Sequence, residues 1–302
     1  MDFPPPGELI EIDGRRLHAR TTGVDGPTVI LEAGIAASSL SWALVAPELA
    51  GFARVIAYDR AGYGWSDPAP HHSTALDSAG DLALLLDALQ IRGRVIIAGH
   101  SFGGLIARLF QQRYPHRVAA LVLVDPVVRT EWRVMTPRLA RGVMLSRRGA
   151  KLARAGVIGF ALKLVLSGSH SIPKLLARAS AGKGASVTER LTGEVRKMPP
   201  ELWPVVARHW SQSKSFRTMA DTLENLPVSV SQLDETRGLG DLPITVLSAA
   251  SADPQALAEH QHDAQLSIRG RHIIVPGSAH WMHLDAPAAV IAAITSVASL
   301  SS

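Results

Sequence analysis

From residue 28 the chain alternates short, β-branched apolar runs with stretches of helical leucine spacing, and few folds accept that alternation. "TVILEAG" (28–34), "RVIAYD" (54–59), "VIIAG" (95–99) and "VAALVLVD" (118–125) are too short for helices and too uniformly apolar for half-exposed strands, so they read as strands buried on both faces. "LDSAGDLALLLDALQ" (76–90), behind a Ser73-Thr74 cap candidate, and "GGLIARLFQQRY" (103–114), stopped by Pro115, read as the helices between them. The pattern resumes with "ITVLSAA" (244–250), a helix near 254–267, "RHIIVPG" (271–277) and an Ala-rich helix over 287–299. "LIEIDG" and "RLHART" form a leading hairpin. A mostly parallel α/β sheet covered by helices on both faces is the expected architecture.

The alternation breaks over residues 127–230, where helical, Arg-rich, Trp-containing pieces occur without a strand pattern. The expected organisation is therefore a core of 1–126 and 231–302 with a helical insertion at 127–230. The net charge of +5 hides an asymmetry, since the insertion holds 18 Lys and Arg against 6 Asp and Glu. It lacks zinc-ligand spacing and a recognition-helix pattern, so no nucleic-acid partner is expected. Its segment 138–168 mixes apolar residues with cations, which suits a lid helix and equally a helix on an anionic membrane surface.

With 302 residues and 47% hydrophobic content the chain can bury a full core. No apolar run is long enough to span a bilayer, and "MDFPPPGELIEIDGRR" lacks the pattern of an export signal, so a soluble cytoplasmic protein is expected. The absence of cysteine excludes disulfides, thiol catalysis and Cys-ligated zinc. Oligomeric state is left open.

Ligands of open parallel sheets bind at the carboxyl ends of the strands, so reactive side chains there are the candidates. Ser101 follows the strand at 95–99, Asp125 closes the next, Asp253 lies three residues beyond "ITVLSAA", and His280 three beyond "RHIIVPG". A serine hydroxyl becomes a nucleophile when an imidazole takes its proton, and a carboxylate fixes the tautomer of that imidazole. Gly99 and Gly103 bracket Ser101 as a tight strand-to-helix turn requires, and the turn leaves the Phe102 N–H free at a helix N-terminus to face negative charge.

"GHSFG", the "SADP" after a strand, "PGSAHWMHLDAP" and "YDRAGYGWSD" (58–67) occur in the order and strand context of the α/β-hydrolase family, which the chain resembles over nearly its whole length. The resemblance implies a serine hydrolase with a helical cap after the sixth main strand and no cofactor. Ser101 would be the nucleophile, His280 the base and Asp253 the favoured acid, with Asp125 the alternative because some members use that position. Many members carry His-Gly where this chain has "LEAGIAASSLSW" (31–42), so the second oxyanion donor would be the backbone N–H of Ile35, ahead of Ala36. The implied substrate is a small, apolar carboxylic ester, lactone or similar acyl compound. A small-molecule receptor, a lyase and a cofactor-free oxidative enzyme are the rival readings on the same fold.

Other conspicuous residues have plainer readings. His100 packs under the turn, and His283 packs or hydrogen-bonds in the next turn. Asp59 and Arg60 hold the following loop through hydrogen bonds and an exposed or partly exposed ion pair. The histidines of "HQHD" (260–263) face apart on a helix, so no metal site is expected there. Gly62 and Gly64 lack the Lys-Ser/Thr of a phosphate loop, and His71 and His72 read as a solvated loop. Trp132, Trp203, Trp210 and Phe160 would roof an apolar pocket.

Overall fold

The computed structural model describes residues 3–70, 74–160 and 194–301. The expected Ser73 cap, the His71-His72 loop, residues 161–193 of the insertion and hence residues 161–168 of the basic segment lie outside the described residues.

Eight strands form one sheet: β1 (Glu8–Ile12), β2 (Arg15–Gly23), β3 (Thr28–Glu32), β4 (Arg54–Tyr58), β5 (Val95–His100), β6 (Val118–Val124), β7 (Ile244–Ala249) and β8 (Gly270–Val275). Their order is β1-β2-β4-β3-β5-β6-β7-β8, with the β1–β2 and β2–β4 pairs antiparallel and every later pair parallel. β5, β6 and β7 are buried at every position, which explains their mainly apolar sequences. Alternate side chains feed two cores. Val95, Ile97, Leu121 and Leu123 pack with the helices Ala75–Ala88 and Phe102–Arg113, whereas Ile96, Ala98, Val122 and Val124 pack with the helix Pro287–Ser301.

Local chemistry sets the helix starts. Thr74 and Asp77 form a reciprocal capping box, with the Thr74 hydroxyl accepting from the Asp77 N–H at 3.3 Å and the Asp77 carboxylate accepting from the Thr74 N–H at 2.8 Å.

Among the described residues between β6 and β7 there are only helices, including Pro137–Arg154, Trp203–Trp210, Ser213–Glu224 and Leu226–Ser231. Leu139, Val143 and Ala150 form the buried side of Pro137–Arg154, which packs along Ser213–Glu224, with Gly149 against the Phe216 ring. The cations Arg138, Arg141, Arg148 and Lys151 face solvent. Leu226 and Val230 join the main core instead, and the Ser229 hydroxyl accepts from the Ala75 N–H at 2.9 Å. No helix among the described residues is long and apolar enough to cross a membrane.

Candidate active site

β5 runs directly into the helix Phe102–Arg113, and Ser101 occupies the junction with φ 53° and ψ −117°, a conformation that L-residues rarely adopt. The chain holds it there by leaving no room for alternatives. A Cβ on Gly99 would lie 2.4 Å from the Gly103 carbonyl oxygen, and one on Gly103 would lie 2.4 Å from that of Glu32. The Ser101 N–H donates to Val124 O at 3.0 Å, tying the turn to the end of β6.

Asp125 follows β6 as Ser101 follows β5. The two strands are adjacent, with His100 in register with Val124, so the two side chains emerge side by side. Asp125 also has a positive φ, 44°. Its Oδ1 accepts from the Ala249 N–H at 2.9 Å and its Oδ2 contacts His280 Nδ1 at 2.7 Å. The opposite nitrogen, His280 Nε2, lies 3.1 Å from Ser101 Oγ. Asp125 is nearly enclosed, while the His280 side chain stays 43% exposed, as a group that must meet a ligand would.

Asp253, the expected acid, is elsewhere engaged. It is the N-cap of the helix Pro254–Gln265, its Oδ1 accepting from the Ala256 N–H at 2.8 Å, and it makes no hydrogen bond to His280. The Asp-Pro pair that resembled an acid loop is a helix start, with the carboxylate at the cap and proline in the first turn. The carboxylate beside His280 is that of Asp125.

The segment after β3 runs beside Ser101, where a Cβ on Gly34 would come within 3.4 Å of the serine Cβ. It would also strike His100 Nδ1 at 2.9 Å, which explains glycine at this position. Phe102 begins its helix and Ile35 lies in this loop, and among the described residues neither N–H has an acceptor. The loop is held from behind by Arg60, whose guanidinium donates to the carbonyls of Ala33 and Gly34, the latter at 2.5 Å, and pairs with Glu32. Glu32 also accepts from the Tyr58 hydroxyl. Burial pushes the Glu32 carboxyl above the ordinary carboxylate range, which Arg60 counters.

Arg60 and Asp59 are therefore buried structural centres with separate partners, contrary to the partly exposed pair expected from sequence. Asp59 accepts from the N–H groups of Ser39 at 2.7 Å and Trp65 at 3.0 Å and contacts His18 Nδ1 at 3.0 Å. Burial opposes its charge, but these bonds prevail and hold its pKa below the usual value. Gly64 follows from this arrangement, since a Cβ there would enter the Asp59 carboxylate. Sequence reasoning overlooked Glu32, although an acid inside an apolar strand signals a buried partner.

His100 lies beneath the site, donating from Nε2 to the His280 carbonyl at 2.7 Å. Burial, together with His283 and His280, holds its pKa well below the ordinary imidazole range, so it is neutral. His283 is completely buried between the Trp42 and His100 rings, and burial lowers its pKa to about 3. The two histidines of 260–263 serve separate partners, His260 contacting Ser248 and Pro126 O, and His262 contacting Glu235 O. An apolar cavity lies against the loop after β3, lined by Ala36, Val206, Trp210, Trp281 and Leu284 together with His209, and Ser101, Asp125 and His280 do not line it. Of the expected roof residues, Trp210 lines it, Trp203 packs in the neighbouring cluster, Trp132 packs against the main core, and Phe160 is exposed.

A sequence profile described as the alpha/beta hydrolase fold matches residues 27–287. The chain is 36% identical to the 2-hydroxy-6-oxo-2,4-heptadienoate hydrolase of Pseudomonas putida over 126 residues, 40% of this chain and 45% of that one, so the match spans less than half of that relative. In three dimensions it resembles a thermophilic esterase from Thermogutta terrifontis, with a TM-score of 0.65 at 21% identity over 97% of both chains. It also resembles the enol-lactonase of Burkholderia xenovorans LB400, with a TM-score of 0.64 at 19% identity over 97% of this chain and 100% of that one.

Proposed function

Because the chain belongs to the α/β-hydrolase fold family, we propose that it is a serine hydrolase that cleaves a small carboxylic ester, lactone or related acyl compound through an acyl-enzyme. The single observation carrying this reading is the position of His280, which contacts Asp125 through one ring nitrogen and Ser101 through the other.

With Nδ1–H donating to the Asp125 carboxylate, His280 Nε2 has a lone pair aimed at the serine hydroxyl. As Oγ attacks the acyl carbonyl carbon, its proton passes to Nε2, and Asp125 steadies the imidazolium. The carbonyl π electrons move to oxygen, where the Ile35 and Phe102 N–H groups receive the charge. When the tetrahedral intermediate collapses, the bond to the alcohol oxygen breaks and the imidazolium protonates the leaving group. Water then repeats the sequence on the acyl-enzyme, with Nε2 taking its proton and returning it to Oγ. The described helices of the insertion, Trp203–Trp210 among them, act as part of a lid that limits water at the reacting serine.

A fluorophosphonate probe tests the activated serine directly. Mass spectrometry is expected to find the label on Ser101, and His280→Ala is expected to abolish labelling. Failure of the wild-type protein to label between pH 6 and 9 would favour a receptor on the same fold. A panel of esters, lactones and a 2-hydroxy-6-oxo-dienoate then resolves the substrate class.

A further inference from the structure

The loop that follows β3 is fastened unevenly. At its start the carbonyls of Ala33 and Gly34 accept from Arg60, and at its end the Ser39 N–H donates to Asp59. Both anchors belong to the buried core. Between them lies Ile35, carrying one of the two N–H groups assigned to the oxyanion, followed by Ala36 at φ +61°. Alanine in that left-handed region is strained, and an isolated loop would relax out of it. Among the described residues, two groups from outside the loop meet this middle stretch of backbone: the Tyr63 hydroxyl faces the Ala36 N–H, and the insertion meets the Ala36 carbonyl. Trp210 Nε1 donates to Ala36 O at 3.0 Å.

We propose that Trp210 is a positioning residue that couples the seating of the cap to the oxyanion site, by holding Ala36 in its left-handed conformation and thereby aiming the Ile35 N–H. The inference rests on the serine-hydrolase reading. Nearby contacts seat the cap in the same place. Lys214 donates to Ser66 O at 2.7 Å, and Gly62 presses so closely on Thr218 that a Cβ there would overlap the threonine hydroxyl. Lys214 and Thr218 belong to Ser213–Glu224, and Trp210 ends the helix immediately before it, so its indole N–H reports whether the cap is down. Donors to an oxyanion must lie about 2.7–3.1 Å from the final position of the oxygen, so a small loop displacement weakens transition-state binding. An open cap would leave Ser101 and His280 intact but the second donor misdirected. The cap would then do more than cover the site.

Trp210→Phe keeps an aromatic ring in the cavity and removes the N–H. It is expected to lower kcat by about tenfold to a hundredfold, less than the roughly 10² to 10³ typical of deleting an oxyanion donor outright, with KM changed less than about threefold. Affinity for a boronic acid that forms a tetrahedral adduct on Ser101 should fall with kcat, whereas binding of the product alcohol should not. Ala36→Gly removes the steric cost of the positive φ. In the Trp210→Phe background it should restore several-fold of the lost kcat, a gain larger than any change the same substitution makes in the presence of Trp210. A melting temperature close to wild type accompanies the expected result.

Unchanged kcat in Trp210→Phe would overturn the coupling, as would a rise in KM alone, which would make Trp210 a substrate contact. Equal effects of Ala36→Gly in the two backgrounds would also overturn it. Fluorophosphonate labelling of the wild type separates the two levels: an unlabelled Ser101 removes the hydrolase reading and this inference with it, while a labelled Ser101 beside an unaffected Trp210→Phe removes the coupling alone.

Discussion

Replacing Asp125 with asparagine tests the site with almost no change of shape. Both carboxylate oxygens already face N–H donors, Oδ1 the Ala249 N–H at 2.9 Å and Oδ2 the ring N–H of His280 at 2.7 Å. An amide offers one oxygen and one NH2, so one of these contacts must fail. The Ala249 N–H is fixed in the backbone and can only donate, so the amide oxygen will stay with it and NH2 will face the imidazole. His280 must then present the lone pair of Nδ1 and carry its proton on Nε2. That tautomer cannot take the proton of Ser101. The expected loss in kcat is about 10⁴, or roughly 5.5 kcal/mol of transition-state stabilisation. Asp253→Asn is the control. Asparagine caps a helix about as well as aspartate, so stability should shift by only a few tenths of a kcal/mol and turnover should be unchanged. Single-turnover acylation with a chromogenic ester, alongside thermal melts, measures both. Asp125→Asn acting within tenfold of wild type, or a collapse of Asp253→Asn at normal stability, would refute the reasoning.

The buried histidines predict acid sensitivity. Burial lowers His283 to about 3 and His209 to about 4, so between there and about pH 6.5 the unfolded chain binds protons that the folded one does not. Their contribution is complete above pH 6.5 and is lost as pH falls, at about 1.4 kcal/mol per pH unit for each group. Urea titrations from pH 6.5 to 4.5 should show this slope, and His283→Phe should reduce it by one group's share; an unchanged slope would contradict burial as the cause. Gly103→Ala places a methyl 2.4 Å from Glu32 O and 2.8 Å from Ala33 O, backbone atoms that cannot step aside, and is expected to cost about 3 kcal/mol or more, seen as a melting temperature lower by roughly 6–12 °C. Arg60→Met leaves Glu32 charged in the core without its partner, for a loss of about 3–5 kcal/mol; Arg60→Met with Glu32→Gln should regain part of it in the same melts. Because the apolar side of Pro137–Arg154 is occupied by Ser213–Glu224, the cations on its outer face are left to electrostatics. Any retention on acidic liposomes at low salt should disappear at about 1 M salt, where the Debye length is about 3 Å, and salt-resistant retention would show apolar insertion instead.

How far the site could be read in the sequence depended on whether the chemistry was local. The elbow was legible because its requirements lie within a few residues: a strand end, Gly99 and Gly103 where a Cβ has no space, and a helix start. His280 was legible for a similar reason, as the first histidine beyond a strand end. The carboxylate that meets His280 was not, because Asp-Pro after β7 fits two templates equally well. A carboxylate before proline can serve an imidazole, or it can cap a helix whose first turn tolerates proline, and Asp253 does the second. What separates Asp125 from Asp253 is lateral position in the sheet. Ser101 leaves β5 and Asp125 leaves its neighbour β6 at the same height, so a histidine above the serine meets Asp125 first. That ordering is a property of strand neighbours, which no short motif records. The Arg60 clamp was half legible, since a charge inside "TVILEAG" demands a partner, but nothing in the string named Arg60. The link from Trp210 to Ala36 joins residues 174 positions apart through the docking of two successive helices. Helix orientation is set by the summed packing of many side chains, so a contact made at its far end is the last thing a linear reading can reach.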